Sequence, residues 1–273
     1  MSLFASFACE ADADALFGSV APSSLTFHIP DNVSFEEAAT IPLASLTAVI
    51  GLFSPTRLAL TPPTDDATPA SGGEAGAPLV VWGGSSSVGV FVVQIAKFAG
   101  LKVIAVASSK NADYVKSLGA DEVIDYRNKD DATLIKEIVE AVKKTTDKPL
   151  KHAYDAISEG NTTESLAKVI EHFGEGGVIT TVLPTKWENA KEGDLPKGVS
   201  VKRESVGDAY GPDAELASKF IRLEAKWLGE GKFKANNVQI VPGGLKGVPE
   251  GLQMLKDGKV SAAKLVYRIA DTQ

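Results

Sequence analysis

The sequence predicts an α/β fold built on a doubly wound parallel sheet. From residue 79 onward, short apolar stretches alternate with helical ones over roughly a hundred residues, which is typical of repeated strand–helix units. The stretch 79–83 is apolar throughout and 102–107 nearly so, which indicates strands buried on both faces. A glycine- and serine-rich turn joins the first stretch to the helix after it. These features predict helices on both faces of one sheet.

The composition argues against several classes of protein. The 273-residue chain has a net charge of −7 and no block of Lys and Arg, so it lacks the basic face of a protein that binds nucleic acid or anionic lipid. No run approaches the ~18 apolar residues of a membrane-spanning helix. The first residues have no basic start and do not resemble a signal peptide. We therefore expect a cytoplasmic protein without nucleic-acid or membrane partners.

Metal-binding residue types are scarce in this chain. Its single cysteine, Cys9, excludes an intrachain disulfide and a zinc site built from several cysteines. The histidines His28, His152 and His172 are scattered, and no two of them have the spacing of a ligand pair. The sequence therefore predicts no metal site.

The region before the alternation reads as two helices and a loop. Ser34 and Glu37 have the spacing of a capping box, which predicts a helix over 35–40. Pro42 interrupts it, and 43–53 reads as a second, apolar helix. Residues 54–78 are rich in Pro, Ala, Gly, Thr and Asp and predict a flexible, solvent-exposed loop. We interpret it as a surface loop and not as an interdomain linker, because the preceding helices need the sheet to bury their apolar faces.

The remaining elements follow from periodicity. Within the alternation, the predicted strands are 79–83, 102–107, 122–125, 152–157 and 178–182. The helices between and after them are 86–99, 111–118, 132–144 and 163–173. The later part predicts a polar loop at 184–198, strands at 199–206, 238–241 and 264–269, and helices at 214–228 and 245–255.

The turn after the first strand has the features of a dinucleotide-binding fingerprint. Gly84 and Gly89 hold its outer glycine positions and Ser86 holds the middle one. Backbone N–H groups and the positive end of a helix dipole suit a pyrophosphate there. A P-loop is excluded because Val90 follows Gly89, and Ser87 occupies a position that a nucleophile elbow reserves for glycine. The alternative is a tight turn that binds nothing.

The end of the second strand favours NADP over NAD. An NAD site places an acid there to accept the ribose 2′-hydroxyl, but Ser108, Ser109, Lys110 and Asn111 occupy this position instead. Two hydroxyls, an ammonium and an amide suit a 2′-phosphate. The alternative is a helix N-cap at Ser108 or Ser109 beside a solvated lysine. NADPH is the predicted cofactor of this Rossmann unit.

From about residue 21 to 269 the chain resembles the medium-chain dehydrogenase/reductase superfamily. The resemblance is carried by the turn 83–89 and by a series of short motifs in the family's order. They are Ile29-Pro30-Asp31-Asn32, Glu36-Glu37-Ala38-Ala39, Pro42, Thr47 through Gly51, Val93-Gln94-Ile95-Ala96-Lys97, Leu118-Gly119-Ala120-Asp121, Val123-Ile124-Asp125-Tyr126-Arg127, Gly176-Gly177, Gly258-Lys259 and Lys264-Leu265-Val266. The chain is similar to the zinc-free quinone reductases and enoyl reductases, and most of all to fungal trans-acting enoyl reductases.

The resemblance implies a set of ligand contacts. The turn, Gly84, Ser85, Ser86, Ser87, Val88 and Gly89, would hold the pyrophosphate. Ser108, Ser109, Lys110 and Asn111 would meet the 2′-phosphate, and Tyr126 the adenosine. Toward the nicotinamide would lie Val182, Leu183 and Val266, and Thr47 falls on the substrate-facing helix. The alternatives are ordinary: the valines and Leu183 as buried strand residues, and Tyr126 as a cover for the sheet edge.

One departure from the family affects the domain organisation. Family members begin with a GroES-like barrel, whereas residues 1–36 read only as a remnant of it. Residues 37–240 would then be the Rossmann domain and 241–273 the segment that returns to the catalytic domain. Either the chain is a fragment, or it buries the orphaned surface against itself or a partner. An exposed apolar patch is the expected consequence.

The resemblance implies hydride transfer from NADPH to an activated double bond or a quinone. The sequence has no Tyr-x-x-x-Lys motif, and Tyr154 and Asp155 lie in a predicted strand, where a structural role is expected. Catalytic residues stay unassigned. The expected partners are a small-molecule substrate, a second copy in a homodimer if the chain is not a monomer, and an enzyme of the same biosynthetic route. The alternative function is a non-catalytic NADP-binding module, or pseudoenzyme, that acts through protein interactions.

Overall fold

The computed structural model describes residues 4–6, 22–191 and 193–272, so Cys9 lies outside the described residues. The strands described are β1 (Phe4–Ser6), β2 (Thr26–His28), β3 (Pro78–Trp82), β4 (Lys102–Val106), β5 (Glu122–Ile124), β6 (His152–Asp155), β7 (Gly177–Thr181), β8 (Val199–Arg203), β9 (Val238–Ile240) and β10 (Lys264–Val266). The α-helices described are α1 (Phe35–Ala38), α2 (Pro42–Phe53), α3 (Ser87–Phe98), α4 (Ala112–Ser117), α5 (Asp131–Thr145), α6 (Thr162–Glu171), α7 (Ala214–Gly229) and α8 (Val248–Lys256).

The strands β3 to β8 form one sheet in the order β5-β4-β3-β6-β7-β8. Every neighbouring pair in it is parallel, and Val81 of β3 is level with Ala105 of β4 and Tyr154 of β6. The chain moves outward from β3 to β5, then returns to the other side of β3 as β6. This reversal leaves a crevice at the carboxyl ends of β3 and β6, where ligands bind in such sheets. The predicted doubly wound parallel sheet is confirmed.

The central strand β3 contributes to the core on both faces of the sheet. Leu79 and Val81 belong to one buried cluster, and Val80 and Trp82 to the other. The first cluster includes side chains of α2, α3 and α7, and the second includes side chains of α5 and α6. Because successive side chains of a strand point to opposite faces, a strand that is apolar at every position must be covered on both.

The helical stretch Phe35–Phe53 corrects one expectation. It is 19 residues long and apolar enough to cross a membrane by length and composition alone, although no run of that size was expected. Within the protein, 72% of its apolar window is buried, and α2 packs against α3 and α7. A helix that is apolar on all sides is expected where protein surrounds it.

The loop at 54–78 is less exposed than its composition predicts. It contains no helix or strand before Pro78, but Leu58 and Leu60 are each only 3% exposed and join the core. The indole Nε1 of Trp227 on α7 donates to the backbone carbonyl of Asp65 at 2.8 Å. The expectation of an exposed loop is therefore wrong at the two leucines. Small and polar residues dominate the mean composition of the segment. That mean therefore does not reveal that two leucines within it are buried.

The part after β8 differs from prediction at element ends. β8 stops at Arg203, because a 3-10 helix, Val206–Tyr210, replaces the predicted end of the strand. The helix predicted over 245–255 starts as a 3-10 turn and becomes α8 only at Val248. β9 pairs with β10 in a small parallel sheet, and β1 pairs with β2 antiparallel. Among the described residues after β8, the large apolar side chains that are more than half exposed are Leu245, Leu252, Leu255 and Ile269.

Candidate functional site

The turn between β3 and α3 is shaped by close backbone packing. Gly83 has a φ of +78°, in the left-handed region that favours glycine. A Cβ on Gly89 would lie 2.1 Å from the carbonyl oxygen of Gly83, and a Cβ on Gly84 would lie 2.8 Å from the Cβ of Ala105. Contacts this short do not occur in proteins, so glycine at 89 allows α3 to lie against the strand end, and glycine at 84 allows the turn to lie against β4. The packing alone explains both fingerprint glycines.

The middle fingerprint residue, Ser86, is the N-cap of α3. Its hydroxyl accepts a hydrogen bond from the N–H of Gly89 at 3.1 Å and donates to the carbonyl of Ala156 at 3.4 Å. Both hydrogen bonds of this hydroxyl thus go to the protein itself. The N–H groups of Ser87 and Val88, in the first turn, have no partner within the helix. These groups and the helix dipole are what the turn can offer to an anion.

At the end of β4 the chain enters a 3-10 helix, Ser109–Asn111. Ser108 occupies its N-cap position, as the capping alternative expects, but neither Ser108 nor Ser109 makes a capping hydrogen bond with its side chain. Ser108 is buried, and among the described residues its hydroxyl has no hydrogen-bond partner. Lys110 is exposed to solvent. The amide of Asn111 donates to the hydroxyl of Ser85 at 3.2 Å and so joins this strand end to the turn.

The end of the neighbouring strand β5 carries three polar residues that reach the same place. The guanidinium of Arg127 donates to both carboxylate oxygens of Asp125, at 2.9 Å and 3.1 Å, and to the hydroxyl of Ser109. This pairing holds the pKa of the Asp125 carboxyl well below its usual range. Tyr126, between them, is 47% exposed. The segment after β4 contains no acidic residue, but Asp125 of the segment after β5 lies beside it in the fold.

The loop that follows β6 is fixed by Asp155, which is fully buried. Its carboxylate accepts hydrogen bonds from the backbone N–H groups of Ile157 and Ser158 and from the hydroxyls of Thr162 and Thr163, at 2.6–3.2 Å. With all these donors satisfied, Asp155 has the structural role expected of it.

Ser158 connects this network to the next strand end. Its φ is +59°, and its hydroxyl donates to the carbonyl of Asp155 and accepts from the N–H of Val182 at 2.9 Å. Val182 is half-buried, whereas Leu183 is 43% exposed. Leu183 is therefore not the ordinary buried strand residue that one alternative suggested.

Thr47 of α2 and Tyr154 of β6 are both buried in the core. The hydroxyl of Thr47 donates to the carbonyl of Leu43 in its own helix at 2.7 Å, and Thr47 is 6% exposed. The hydroxyl of Tyr154 donates to the carbonyl of Thr47 at 2.8 Å, and burial raises the pKa of Tyr154 well above its usual value. Tyr154 thus supports α2, and the Thr47 hydroxyl is engaged by its own helix.

The C-terminal segment reaches the turn through Ser261, whose hydroxyl accepts from Asn111 at 3.1 Å. Val266 lies in β10, level with Ile240 of β9, and is half-buried. Hydrogen bonds thus link Ser85, Asn111 and Ser261, and a separate set links Ser109 with Arg127. Sequence reasoning missed Arg127, Ser158 and Ser261. Arg127 could have been found, because the carboxyl ends of adjacent parallel strands lie side by side. Over the ranges that the structure describes, no three His, Cys, Asp or Glu residues are grouped so that they could hold a metal ion.

The sequence of this chain matches a family model and several known proteins. The family model for zinc-binding dehydrogenases matches residues 87–212. The trans-enoyl reductase ACTTS2 of Alternaria alternata is 34% identical over 248 residues, which are 88% of this chain and 67% of the relative. A zinc-type alcohol dehydrogenase-like protein of Schizosaccharomyces pombe is 33% identical over 258 residues, 90% of this chain and 70% of that protein. The chain thus spans about two thirds of the length of these relatives.

Solved structures share the fold. A quinone oxidoreductase of Pseudomonas syringae pv. tomato superposes with a TM-score of 0.65 at 24% identity, over 90% of this chain and 69% of that one. A mycobacterial protein complexed with NADPH superposes with a TM-score of 0.65 at 22% identity, over 90% of this chain and 68% of that one. At these identities the likeness concerns the fold alone. The sequence relatives support an oxidoreductase of the enoyl reductase type, and the chain belongs to the medium-chain dehydrogenase/reductase superfamily.

Proposed function

We propose that this protein is an NADPH-dependent, zinc-independent oxidoreductase that transfers hydride to an activated double bond or a quinone. The observation that carries the proposal is the arrangement at the carboxyl edge of the sheet. There the open N-terminus of α3 lies beside the adjacent ends of β4 and β5, which present Lys110 and Arg127 respectively. One element suits a pyrophosphate, and the other suits a further phosphate on the ribose.

The residues present fit such a cofactor. In the proposed arrangement, the N–H groups of Ser87 and Val88 bind the pyrophosphate, because the glycines let the backbone approach closely. Ser109, Lys110 and Asn111 face the 2′-phosphate, and Tyr126 covers the adenosine. The hydroxyl of Ser108, which has no hydrogen-bond partner among the residues that the structure describes, is one more polar group at this strand end.

Toward the reacting end, the chain's contribution is positioning and exclusion of water. Bound NADPH supplies the hydride. We place Val182 and Leu183 along the nicotinamide ribose and Val266 at the nicotinamide end. Asp155 and Ser158 act as positioning residues, because they fix the loop that precedes Val182 in space. Thr47 stays the proposed substrate-side residue through its place on α2. No proton donor is assigned.

The proposal includes the wider setting. We keep the division into a GroES-like remnant at 1–36, a Rossmann domain at 37–240 and a return segment at 241–273. We propose a cytoplasmic enzyme with a small-molecule substrate. A non-catalytic NADP-binding module is the second candidate, and the exposed leucines of the C-terminal segment favour it, since such a surface suits a protein contact.

Two measurements separate these functions. NADPH binding is followed by its fluorescence, and NADPH oxidation is then followed with a quinone and with a conjugated enone. We expect the protein to bind NADPH and to oxidise it. NADH should bind much more weakly and be oxidised much more slowly. Binding without oxidation of NADPH supports the non-catalytic module. Absence of binding to either dinucleotide contradicts both candidates.

A further inference from the structure

Two strand ends that are distant in sequence form one polar cluster at the edge of the proposed ribose site. Ser109 follows β4, whereas Asp125 and Arg127 follow β5. The backbone N–H and the Nε of Arg127 both donate to Oδ1 of Asp125 at 3.1 Å, and its Nη2 donates to Oδ2 at 2.9 Å and to Ser109. The arginine is thus held at three of its nitrogen atoms, backbone included.

We propose that Arg127, held in place by Asp125, is the residue that makes this site select a dinucleotide with a 2′-phosphate over one with a free 2′-hydroxyl. The inference rests on the proposed function, because it uses the ribose position given by Ser108 to Asn111. It assigns the selection to a residue after β5 and not chiefly to Lys110.

The charges at the cluster give the physical reason. A carboxylate at the end of a strand beside the ribose accepts the 2′-hydroxyl and repels a 2′-phosphate, which is how NAD sites discriminate. Asp125 follows the adjacent strand β5 and is joined to this position through Arg127 and Ser109. Its ion pair with Arg127 cancels the negative charge and orients the guanidinium. Without the arginine, the same cluster would have the chemistry of an NAD site.

The guanidinium also retains unused donors. Its Nε and Nη2 serve Asp125 and Ser109, while Nη1 donates to no partner within the described ranges. The Arg127 side chain is 42% exposed, so these N–H groups face solvent at the cluster. A planar guanidinium with a free edge suits a phosphate better than a flexible ammonium does, because its donors are already oriented. Lys110 adds attraction, but in the described part of the chain no hydrogen bond or ion pair fixes its direction.

The test compares ligands that differ only in the 2′ group. Arg127→Ala, Arg127→Lys and Lys110→Ala are titrated with NADPH, NADH, adenosine 2′,5′-bisphosphate and adenosine 5′-monophosphate. Arg203→Ala is the matched control, because Arg203 is 46% exposed, forms a similar ion pair with Glu188, and ends the strand at the opposite edge of the sheet. Thermal melts establish that each variant is folded.

We expect Arg127→Ala to weaken NADPH and the bisphosphate about tenfold or more, the range for losing a charged hydrogen bond. NADH and the monophosphate should change less than about twofold or bind more tightly, since Asp125 is then unpaired. Arg127→Lys should lose less than Arg127→Ala, and Lys110→Ala should lose less than either. Arg203→Ala should match the wild type.

The outcomes keep the two proposals apart. If the wild type binds neither dinucleotide, the proposed function fails. If it prefers NADPH but Arg127→Ala leaves that preference unchanged, or weakens NADPH and NADH equally, the assignment of Arg127 is wrong and the proposed function stands.

Discussion

The central and the outer parts of the sheet's carboxyl edge use the same residue type in opposite ways. At the centre, Asp155 is the last residue of β6, is fully buried and accepts hydrogen bonds from backbone N–H groups and hydroxyls. At the outer part, Asp125 follows β5 near solvent and is satisfied by a guanidinium. The first arrangement fixes backbone, whereas the second balances charge. The loop before Val182, which we propose to lie along the nicotinamide ribose, is therefore fixed through its backbone, whereas selection at the 2′ position depends on side chains near solvent.

The largest effect should separate these two carboxyl groups. We expect Asp155→Ala to reduce the free energy of unfolding by about 3 kcal/mol, because two hydroxyls and two N–H groups lose their buried acceptor. Asp125→Ala should cost only a small fraction of that, since solvent replaces an exposed partner. Urea denaturation measures both. Equal losses would remove the distinction between the central and outer parts.

A second prediction tests whether the central turn is set by backbone packing. Gly89→Ala should destabilise the protein by about 2 kcal/mol, because its Cβ would overlap the carbonyl of Gly83 and force α3 away from β3. NADPH affinity should fall in parallel. Gly207→Ala is the control, since a Cβ there meets only the Ser205 hydroxyl at 3.5 Å. A Gly89→Ala protein as stable as this control would mean that the turn tolerates a side chain.

A buried carboxyl with fewer donors sharpens the comparison further. Glu224 on α7 is fully buried, and only the Ser45 hydroxyl donates to it, at 2.8 Å. Within the described part of the chain its second oxygen has no partner. Burial raises the pKa of Glu224 from 4.5 to about 8, so the folded protein keeps this group protonated at neutral pH.

The sign of the resulting pH dependence follows from proton binding. Between pH 4.5 and 8 the folded state holds a proton that the unfolded state releases, so stability falls as pH rises through this window. The Glu224 contribution is at most about 1.4 kcal/mol per pH unit. Glu224→Gln should make the decline shallower by about that slope, as measured by urea denaturation from pH 5 to 8. An unchanged slope would show that Glu224 is ionised in the fold.

Most of the fold could be predicted because buried helix faces and buried strands have characteristic patterns of apolar residues in the sequence. The strands β3 and β4 are apolar at nearly every position, and the glycines of the turn mark a place where the backbone of a helix packs closely against the end of a strand. Element ends were less predictable, as at β8, because a 3-10 turn and a strand end have similar composition.

The candidate site was predictable only in part, since hydrogen bonds between distant segments have no periodicity. The sequence identifies Ser109 and Lys110 at a strand end but not the pairing of Ser109 with Arg127, which depends on the order of strands in the sheet. It also does not reveal that the Ser86 hydroxyl caps α3, or that the Thr47 hydroxyl donates a hydrogen bond to a carbonyl of its own helix. Each of these depends on local backbone direction.

The alternating side chains of β3 have a consequence for how the molecule comes apart. Since Leu79 and Val81 anchor one helical layer while Val80 and Trp82 anchor the other, a single five-residue segment belongs to both. If the helices on one face unfold, β3 loses packing on that face, and the helices on the other face then pack against a less stable strand. Melting of the layers is therefore coupled, and loss of native structure should occur in one concerted transition.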